Sequence, residues 1–167
     1  MTLYYDVLSN DYCHLYLEAS TDGLTEIAFI TEDEMNELVT GMNHRSSATH
    51  NAQRLIEVRT QLEQYFGGAR ERFDLPLAAV GTAFQQRVWQ SLCAIPFGQT
   101  ASYGQLAADL GNPNASRAVG LTNGKNPIAI VVPCHRVIGA NGKLTGYAGG
   151  LENKRMLLEL EGLVVND

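Results

Sequence analysis

Ser102-Tyr103-Gly104-Gln105-Leu106-Ala107-Ala108-Asp109-Leu110-Gly111-Asn112-Pro113-Asn114-Ala115-Ser116-Arg117-Ala118-Val119-Gly120 holds two helix starts in close succession. Ser102 with Gln105 fits a capping box: the serine side chain accepts from the backbone of the third helical residue, and the glutamine reaches back. That predicts a short helix through Leu106, Ala107 and Leu110, closed by Gly111. Asn112-Pro113 predicts a second start, with asparagine as cap and proline at the first helical position. This second helix runs through Arg117, Ala118 and Val119 to Asn123-Gly124. Two short helices joined by a glycine-containing turn make a helix-turn-helix candidate, although most such pairs are packing elements.

The same logic extends outward. Thr82 with Gln85 fits another capping box, and Phe84, Val88, Trp89 and Leu92 form a helical apolar face that Pro96 and Gly98 stop. Cys93, on the Trp89/Leu92 side, reads as core. Downstream, Ile128-Ala129-Ile130-Val131-Val132 reads as a buried strand, with Pro133-Cys134-His135-Arg136 at its mouth. Gly139 to Gly142 reads as a turn, Gly146-Tyr147-Ala148-Gly149-Gly150 as a glycine-rich loop, and Leu151 to Glu161 as a final helix. In the first half, residues 3–7, 15–19 and 24–30 read as antiparallel strands, with a turn at Thr21-Asp22-Gly23. Residues 31–50 are polar and weakly patterned and read as loop with some helical character. Leu55, Val58, Leu62 and Tyr65/Phe66 recur at helical spacing until Gly67-Gly68. Asp74-Leu75-Pro76 and Gly81 read as a connection. The expected fold class is α/β: an N-terminal domain over residues 1–80 with an antiparallel sheet and helix, then a mostly helical domain over 81–167 with the helix-turn-helix and the Cys-His pair.

Composition limits the functions open to such a chain. It has 167 residues, 45% hydrophobic and 18% charged, which is a folded globular composition. No apolar stretch is long enough to span a membrane, and no secretion signal is expected at the N-terminus. Three cysteines without such a signal point to reduced thiols in a cytoplasm. The net charge of -6 argues against nucleic acid, but its distribution does not. Residues 1–81 carry five Lys/Arg against thirteen Asp/Glu, whereas residues 113–155 carry six basic groups against Glu152 alone. That basic segment reads either as a phosphate footprint or as a chance fluctuation.

Cys134 draws two readings. Inert core packing is the usual fate of a free cysteine. Against it, His135 offers a base, and the charges of His135 and Arg136 would lower the thiol pKa. Adjacent side chains on a strand face opposite ways, so His135 would reach Cys134 through a water or after a bend at Pro133, with Glu161 as a candidate carboxylate to hold the ring. Cys13-His14 is the one other Cys-His pair and no Cys-x-x-Cys occurs, so no metal is expected.

Taken in order, these motifs resemble a known family. Phe84 to Trp89, Ile95-Pro96-Phe97-Gly98, Ser102 to Ala107, Gly111-Asn112-Pro113, Ser116 to Gly120, Asn126-Pro127, Val132 to Val137 and Gly146 to Leu151 resemble the active-site domain of the O6-alkylguanine-DNA alkyltransferases. The resemblance spans residues 84–162, and residues 1–80 share with the family a strand pattern and Gly23-Leu24. It implies irreversible, single-turnover transfer of a methyl or larger alkyl group from O6-alkylguanine in duplex DNA to Cys134, with O4-alkylthymine as a second candidate lesion. It implies His135 as a water-relayed base oriented by Glu161, and Tyr103 as the hydroxyl donor to the guanine ring. The Ala148 N–H would bind O6, the Val137 and Cys134 carbonyls would accept from the exocyclic amine, and Tyr147 would line the pocket. Arg117 would fill the space left by the flipped base, Ala118 would keep the helix face small for the minor groove, and Asn126 would act as a hinge. Some relatives hold zinc in the N-terminal domain. Cys13 is the one N-terminal cysteine here, so neither zinc nor any cofactor is expected, and a monomer is. Two rivals stand beside this reading: a helix-turn-helix sensor of alkyl lesions without transfer, and a thiol hydrolase using Cys134 and His135.

Overall fold

β-branched, aromatic and leucine residues are frequent in the first thirty positions, and a sheet forms there. The computed structural model describes residues 1–42 and 45–165. The chain divides into two units, Met1–Val80 and Gly81–Asp167. In the first, β1 (Leu3–Ser9), β2 (His14–Ser20) and β3 (Gly23–Ile30) form an antiparallel meander, and β4 (Thr49–His50) adds parallel to β1, giving the order β3-β2-β1-β4. Central β2 is buried on both faces. Tyr16 packs with Ile30 and with Leu38 of α1 (Glu32–Thr40). Leu15 and Leu17, which face the other way, are also fully buried. The 3-10 turn Ala52–Leu55 packs beside β2 and leads into α2 (Ile56–Phe66).

Two local details hold this unit together. At Gly23 a Cβ would sit 2.6 Å from the Pro76 carbonyl oxygen, so glycine lets the 76–78 segment run against β3, where Leu24 N–H donates to Pro76 at 2.9 Å. Buried Glu18 accepts from the hydroxyls of Tyr16 at 2.8 Å, Thr25 at 2.9 Å and Ser46 at 2.9 Å, which offsets the cost of burying its charge. α1 supplies the helical part of the stretch 31–50, expected as loop with some helical character. It begins at a full capping box, Thr31 with Glu34, and ends at left-handed Gly41. Residues 43 and 44 of that stretch lie outside the described residues.

The second unit opens with α3 (Ala83–Cys93), whose Thr82–Gln85 capping box is present and whose Val88, Trp89 and Leu92 are buried. Cys93, expected in the core, is exposed: it follows Leu92 and falls off the buried face. After β5 (Ala101–Ser102) come α4 (Tyr103–Asp109), capped by Ser102 and Gln105, and α5 (Ser116–Gly124). These two form the helix pair. The Asn112 side chain makes no cap; a 3-10 turn over Pro113–Ala115 intervenes and α5 starts at Ser116. β6 (Val137–Ile138) pairs parallel with β5, and α6 (Leu151–Leu160) closes the unit. Among the described residues no helix is long and apolar enough to cross a membrane.

The expected strand over Ile128–Val132 does not form. Asn126 folds this run instead: its Oδ1 accepts from Ile128 N–H at 3.0 Å, and its Nδ2 donates to the carbonyls of Val132 at 2.8 Å and Ile128 at 3.3 Å. Tight turns follow, with Val131 N–H to Ala129, Val132 N–H to Ile128 and Cys134 N–H to Val132. Ile130 sits at φ 73°, a left-handed conformation that a β-branched residue adopts only under strain. The run is buried, as a strand would be, but its polar backbone is satisfied by Asn126 and local turns instead of a neighbouring strand.

Replacing Glu18 by alanine would leave three hydroxyls without their acceptor. The full-length protein should lose about 2–3 kcal/mol in urea unfolding, on the scale of about 1–3 kcal/mol per unsatisfied buried group. A loss under about 0.5 kcal/mol, typical of surface changes, would refute this reading of the cluster.

Candidate active site

Cys134, His135 and Arg136 occupy a single 3-10 turn that begins at Pro133. The turn, not a strand, sets where three consecutive side chains go. His135 is fully buried and its Nε2 lies 2.7 Å from Glu161 Oε2. Arg136 points to the same carboxylate, Nε at 2.9 Å from Oε1 and Nη2 at 3.1 Å from Oε2, while its Nη1 donates to the Ile95 carbonyl at 2.7 Å. The Gly98 N–H adds a further donor to Oε1 at 3.1 Å. Glu161 sits at the C-terminal end of α6, so one helix end anchors the whole turn.

This arrangement assigns the histidine tautomer. Glu161 only accepts hydrogen bonds when ionised, so Nε2 carries the proton and Nδ1 bears the lone pair. Nδ1 is buried and has no hydrogen-bond partner among the described residues. Burial lowers the His135 pKa below its ordinary value, outweighing the opposing pull of Glu161, so the ring is a neutral base.

The Cys134 thiol is buried, and burial pushes its pKa up. The neighbouring Asn126 amide and Tyr147 hydroxyl, and the positive charge of Lys154, act in the opposite direction. Two expectations are corrected here. The thiol pKa is raised, not lowered, because desolvation dominates. The cation that eases its ionisation is Lys154, not its sequence neighbour Arg136, whose guanidinium is spent on Glu161. Lys154 and Thr145 escaped the sequence reading. Lys154 is fully buried, and its Nζ donates to the Thr145 carbonyl at 3.0 Å.

The remaining residues surround this centre. Tyr103, first residue of α4, bonds through its hydroxyl to Thr145 Oγ1 at 2.9 Å. A Cβ on Gly120 would lie 3.5 Å from the Tyr103 ring, so the small residue lets α5 lie close to that ring. The glycine-rich loop is tied to α6 by Asn153 Nδ2 donating to Gly149 O at 2.8 Å, and Gly150 N–H closes a turn on Tyr147 O at 2.9 Å. Ala148 is exposed at the loop's outer edge, with no protein acceptor for its N–H among the described residues. Val137 is buried beside the turn, and its N–H donates to Cys134 O. Asn123 Nδ2 also reaches that carbonyl, at 3.5 Å.

Arg117 and Ala118 are exposed on α5, and Arg117 makes no ion pair or hydrogen bond among the described residues. Of the six basic groups in residues 113–155, Arg136 and Lys154 are interior. The surface share of that footprint reduces to Arg117, Lys125, Lys143 and the partly exposed Arg155. Among the described residues no three of His, Cys, Asp or Glu cluster to hold a metal ion.

Comparison with known proteins assigns this architecture. The model of the 6-O-methylguanine DNA methyltransferase DNA-binding domain matches residues 83–163, and that of the ribonuclease-like domain matches residues 3–79. A methylated-DNA–protein-cysteine methyltransferase of Methanosarcina acetivorans is 47% identical over 160 residues, spanning 96% of this chain and 99% of the relative. The crystal structure of the Mycobacterium tuberculosis O6-methylguanine methyltransferase is similar at TM-score 0.82 and 44% identity, over 96% of this chain and 93% of that one. A structure of Mycobacterium tuberculosis OGT in complex with DNA matches at TM-score 0.82 and 45% identity, over 95% and 92%. With both units matched in order and a near-full-length relative, the chain belongs to the 6-O-methylguanine DNA methyltransferase family, DNA-repair enzymes that transfer methyl groups from DNA to a protein cysteine.

Proposed function

We propose that this protein repairs O6-alkylguanine in duplex DNA by moving the alkyl group once, and irreversibly, to Cys134. The observation that carries the proposal is a buried thiol near Asn126 and Tyr147, next to a His135 whose Nδ1 is buried and unpartnered among the described residues and whose Nε2 is held by Glu161. A water between Cys134 and His135 carries the thiol proton to Nδ1 as the reaction begins. The sulfur attacks the alkyl carbon in line. The S–C bond forms, the C–O6 bond breaks, and the electron pair departs onto the guanine ring. Tyr103 supplies a proton to that ring, which makes guanine the better leaving group and is made good from solvent. The Ala148 N–H binds O6. The product thioether has no route back to a thiol, so each molecule acts once. No step calls for a cofactor.

The lesion must leave the base stack to reach a buried thiol, at a cost of a few kcal/mol. Exposed Arg117 fills the gap, and small Ala118 lets α5 approach the minor groove. Asn126, which folds the run leading to Cys134, is the hinge between α5 and the nucleophile. The Val137 and Cys134 carbonyls accept from the guanine 2-amino group, which favours O6-alkylguanine over O4-alkylthymine, whose ring carries an acceptor at that position. Residues 81–167 form the DNA-binding and transfer domain, and residues 1–80 the N-terminal α/β domain. The protein works as a monomer and in a reducing compartment, the cytoplasm, because Cys134 must remain a thiol.

Incubation with duplex DNA carrying O6-methylguanine should leave one methyl group on the Cys134 peptide by mass spectrometry, with guanine restored and no further turnover. An unmodified Cys134 on lesion-bound protein would favour a sensor, and repeated turnover a hydrolase. Arg117→Ala should slow repair of the duplex lesion by about tenfold or more, the rate equivalent of about 1.4 kcal/mol. Its reaction with the free alkylated base should be unchanged. Equal losses on both substrates would remove Arg117 from base flipping.

A further inference from the structure

α5 has an interior side as well as an exposed one. Val119, Thr122 and Asn123 are buried on it, away from exposed Arg117 and Ala118. Asn123 is 4% exposed and reaches the turn that holds Cys134: its Nδ2 lies 3.5 Å from the Cys134 carbonyl oxygen. That bond is long, beyond the common N–H···O range of about 2.7–3.2 Å. The Oδ1 of the same amide is buried and has no hydrogen-bond partner among the described residues. The carbonyl sets which way the amide faces, since turning it over would bring two acceptors together. A buried acceptor is costly to leave unpaired, and Asn126 shows the ordinary case: its Oδ1 accepts from Ile128 N–H while its Nδ2 donates to Val132. Asn123 instead keeps an acceptor free, one amide width from the Cys134 carbonyl. That carbonyl is itself nearly full. Its oxygen offers two lone pairs, and it already accepts from Val137 N–H and from Asn123 Nδ2. A further donor arriving at this place meets an open lone pair on Asn123.

We propose that Asn123 is a specificity-determining residue that binds the 2-amino group of the flipped guanine through its Oδ1. This rests on the reading of the lesion as O6-alkylguanine brought to Cys134. The amine carries two hydrogens. The Val137 carbonyl takes one. The other is shared between the Cys134 carbonyl, whose lone pairs already have donors, and Asn123 Oδ1, which has none. The lesion thereby supplies the donor that the free protein lacks. A base without the amine leaves Oδ1 buried and unpaired, and a site built around a ligand N–H rejects the analogue that lacks it. Asn123 moves no proton and touches neither the sulfur nor the alkyl carbon; it acts on which base is accepted. α5 then serves the lesion from both sides. Arg117 on the exposed face fills the gap in the stack, and Asn123 on the interior face holds the edge of the base that left it.

The test compares single-turnover repair of two duplexes by wild type and Asn123→Leu. One duplex carries O6-methylguanine. The other carries O6-methylhypoxanthine, the same base without its 2-amino group. Leucine keeps the size and branching of asparagine and removes both polar ends. Wild type should repair the guanine lesion faster. Asn123→Leu should lower the ratio of the two rates by about three- to tenfold, the range that one neutral hydrogen bond spans. An unchanged ratio, whether both rates fall together or neither falls, would overturn the proposal. Should Asn123→Leu fail to fold, Cys134→Ala keeps Asn123 and cannot react. By NMR its Asn123 side-chain amide should shift with the O6-methylguanine duplex and shift less with the O6-methylhypoxanthine duplex. The same response to both would overturn the proposal. Failure of the underlying reading is seen separately, as wild-type protein that takes a methyl group from neither duplex.

Discussion

Everything at the candidate centre depends on one buried carboxylate. Glu161 receives the His135 ring, both branches of the Arg136 fork and the Gly98 backbone, and each of those bonds fixes something different. The histidine bond selects the tautomer. The fork holds the 3-10 turn, so that Cys134 faces Asn126 and Tyr147. The backbone bond ties the segment after α3 to the end of α6. A buried ion pair is costly to desolvate and adds little net stability, but losing one partner costs about 3–5 kcal/mol. Specificity of arrangement is what such a cluster provides here.

Counting charges explains why a raised thiol pKa is compatible with a nucleophile. Arg136 and Glu161 neutralise one another, and His135 is neutral. Before reaction Cys134 is a protonated thiol and Lys154 carries an ammonium. In the proposed transfer, moving the thiol proton to His135 would create a thiolate within the field of Lys154 and an imidazolium beside Glu161. Under that proposal both new charges would form within reach of an opposite one already in position, which is electrostatic preorganisation.

Much of this was legible in the chain because it is written in local chemistry. The capping boxes at Thr82 and Ser102 locate α3 and α4, since each needs only four residues to satisfy a helix start. Thr31 and Glu34 make the same signature, yet residues 31–50 show only some helical character in sequence because α1 buries Leu38 alone and the apolar period is faint. The run at Ile128–Val132 misled for the opposite reason. Its burial was legible, but a strand also needs a neighbour, and Asn126 takes that role through its side chain. At the site, Cys134, His135 and Glu161 could be named because Cys-His adjacency is uncommon and the motif order is specific. Lys154 could not. Counted in sequence it joins a basic surface segment, as does Arg136, and only the fold turns both inward. Adjacency also misattributed the thiol's electrostatics to Arg136, because a 3-10 turn aims consecutive side chains at different partners.

The central claim is that burial keeps His135 a neutral base while the Glu161 clamp leaves its lone pair on Nδ1. Nitrogen-detected NMR of the His135 ring across a pH titration tests it most directly. The account predicts an Nε2-protonated, uncharged imidazole at neutral pH, with protonation below the ordinary histidine value of about 6.5. A ring that is protonated on Nδ1, or that titrates at or above that value, would contradict it.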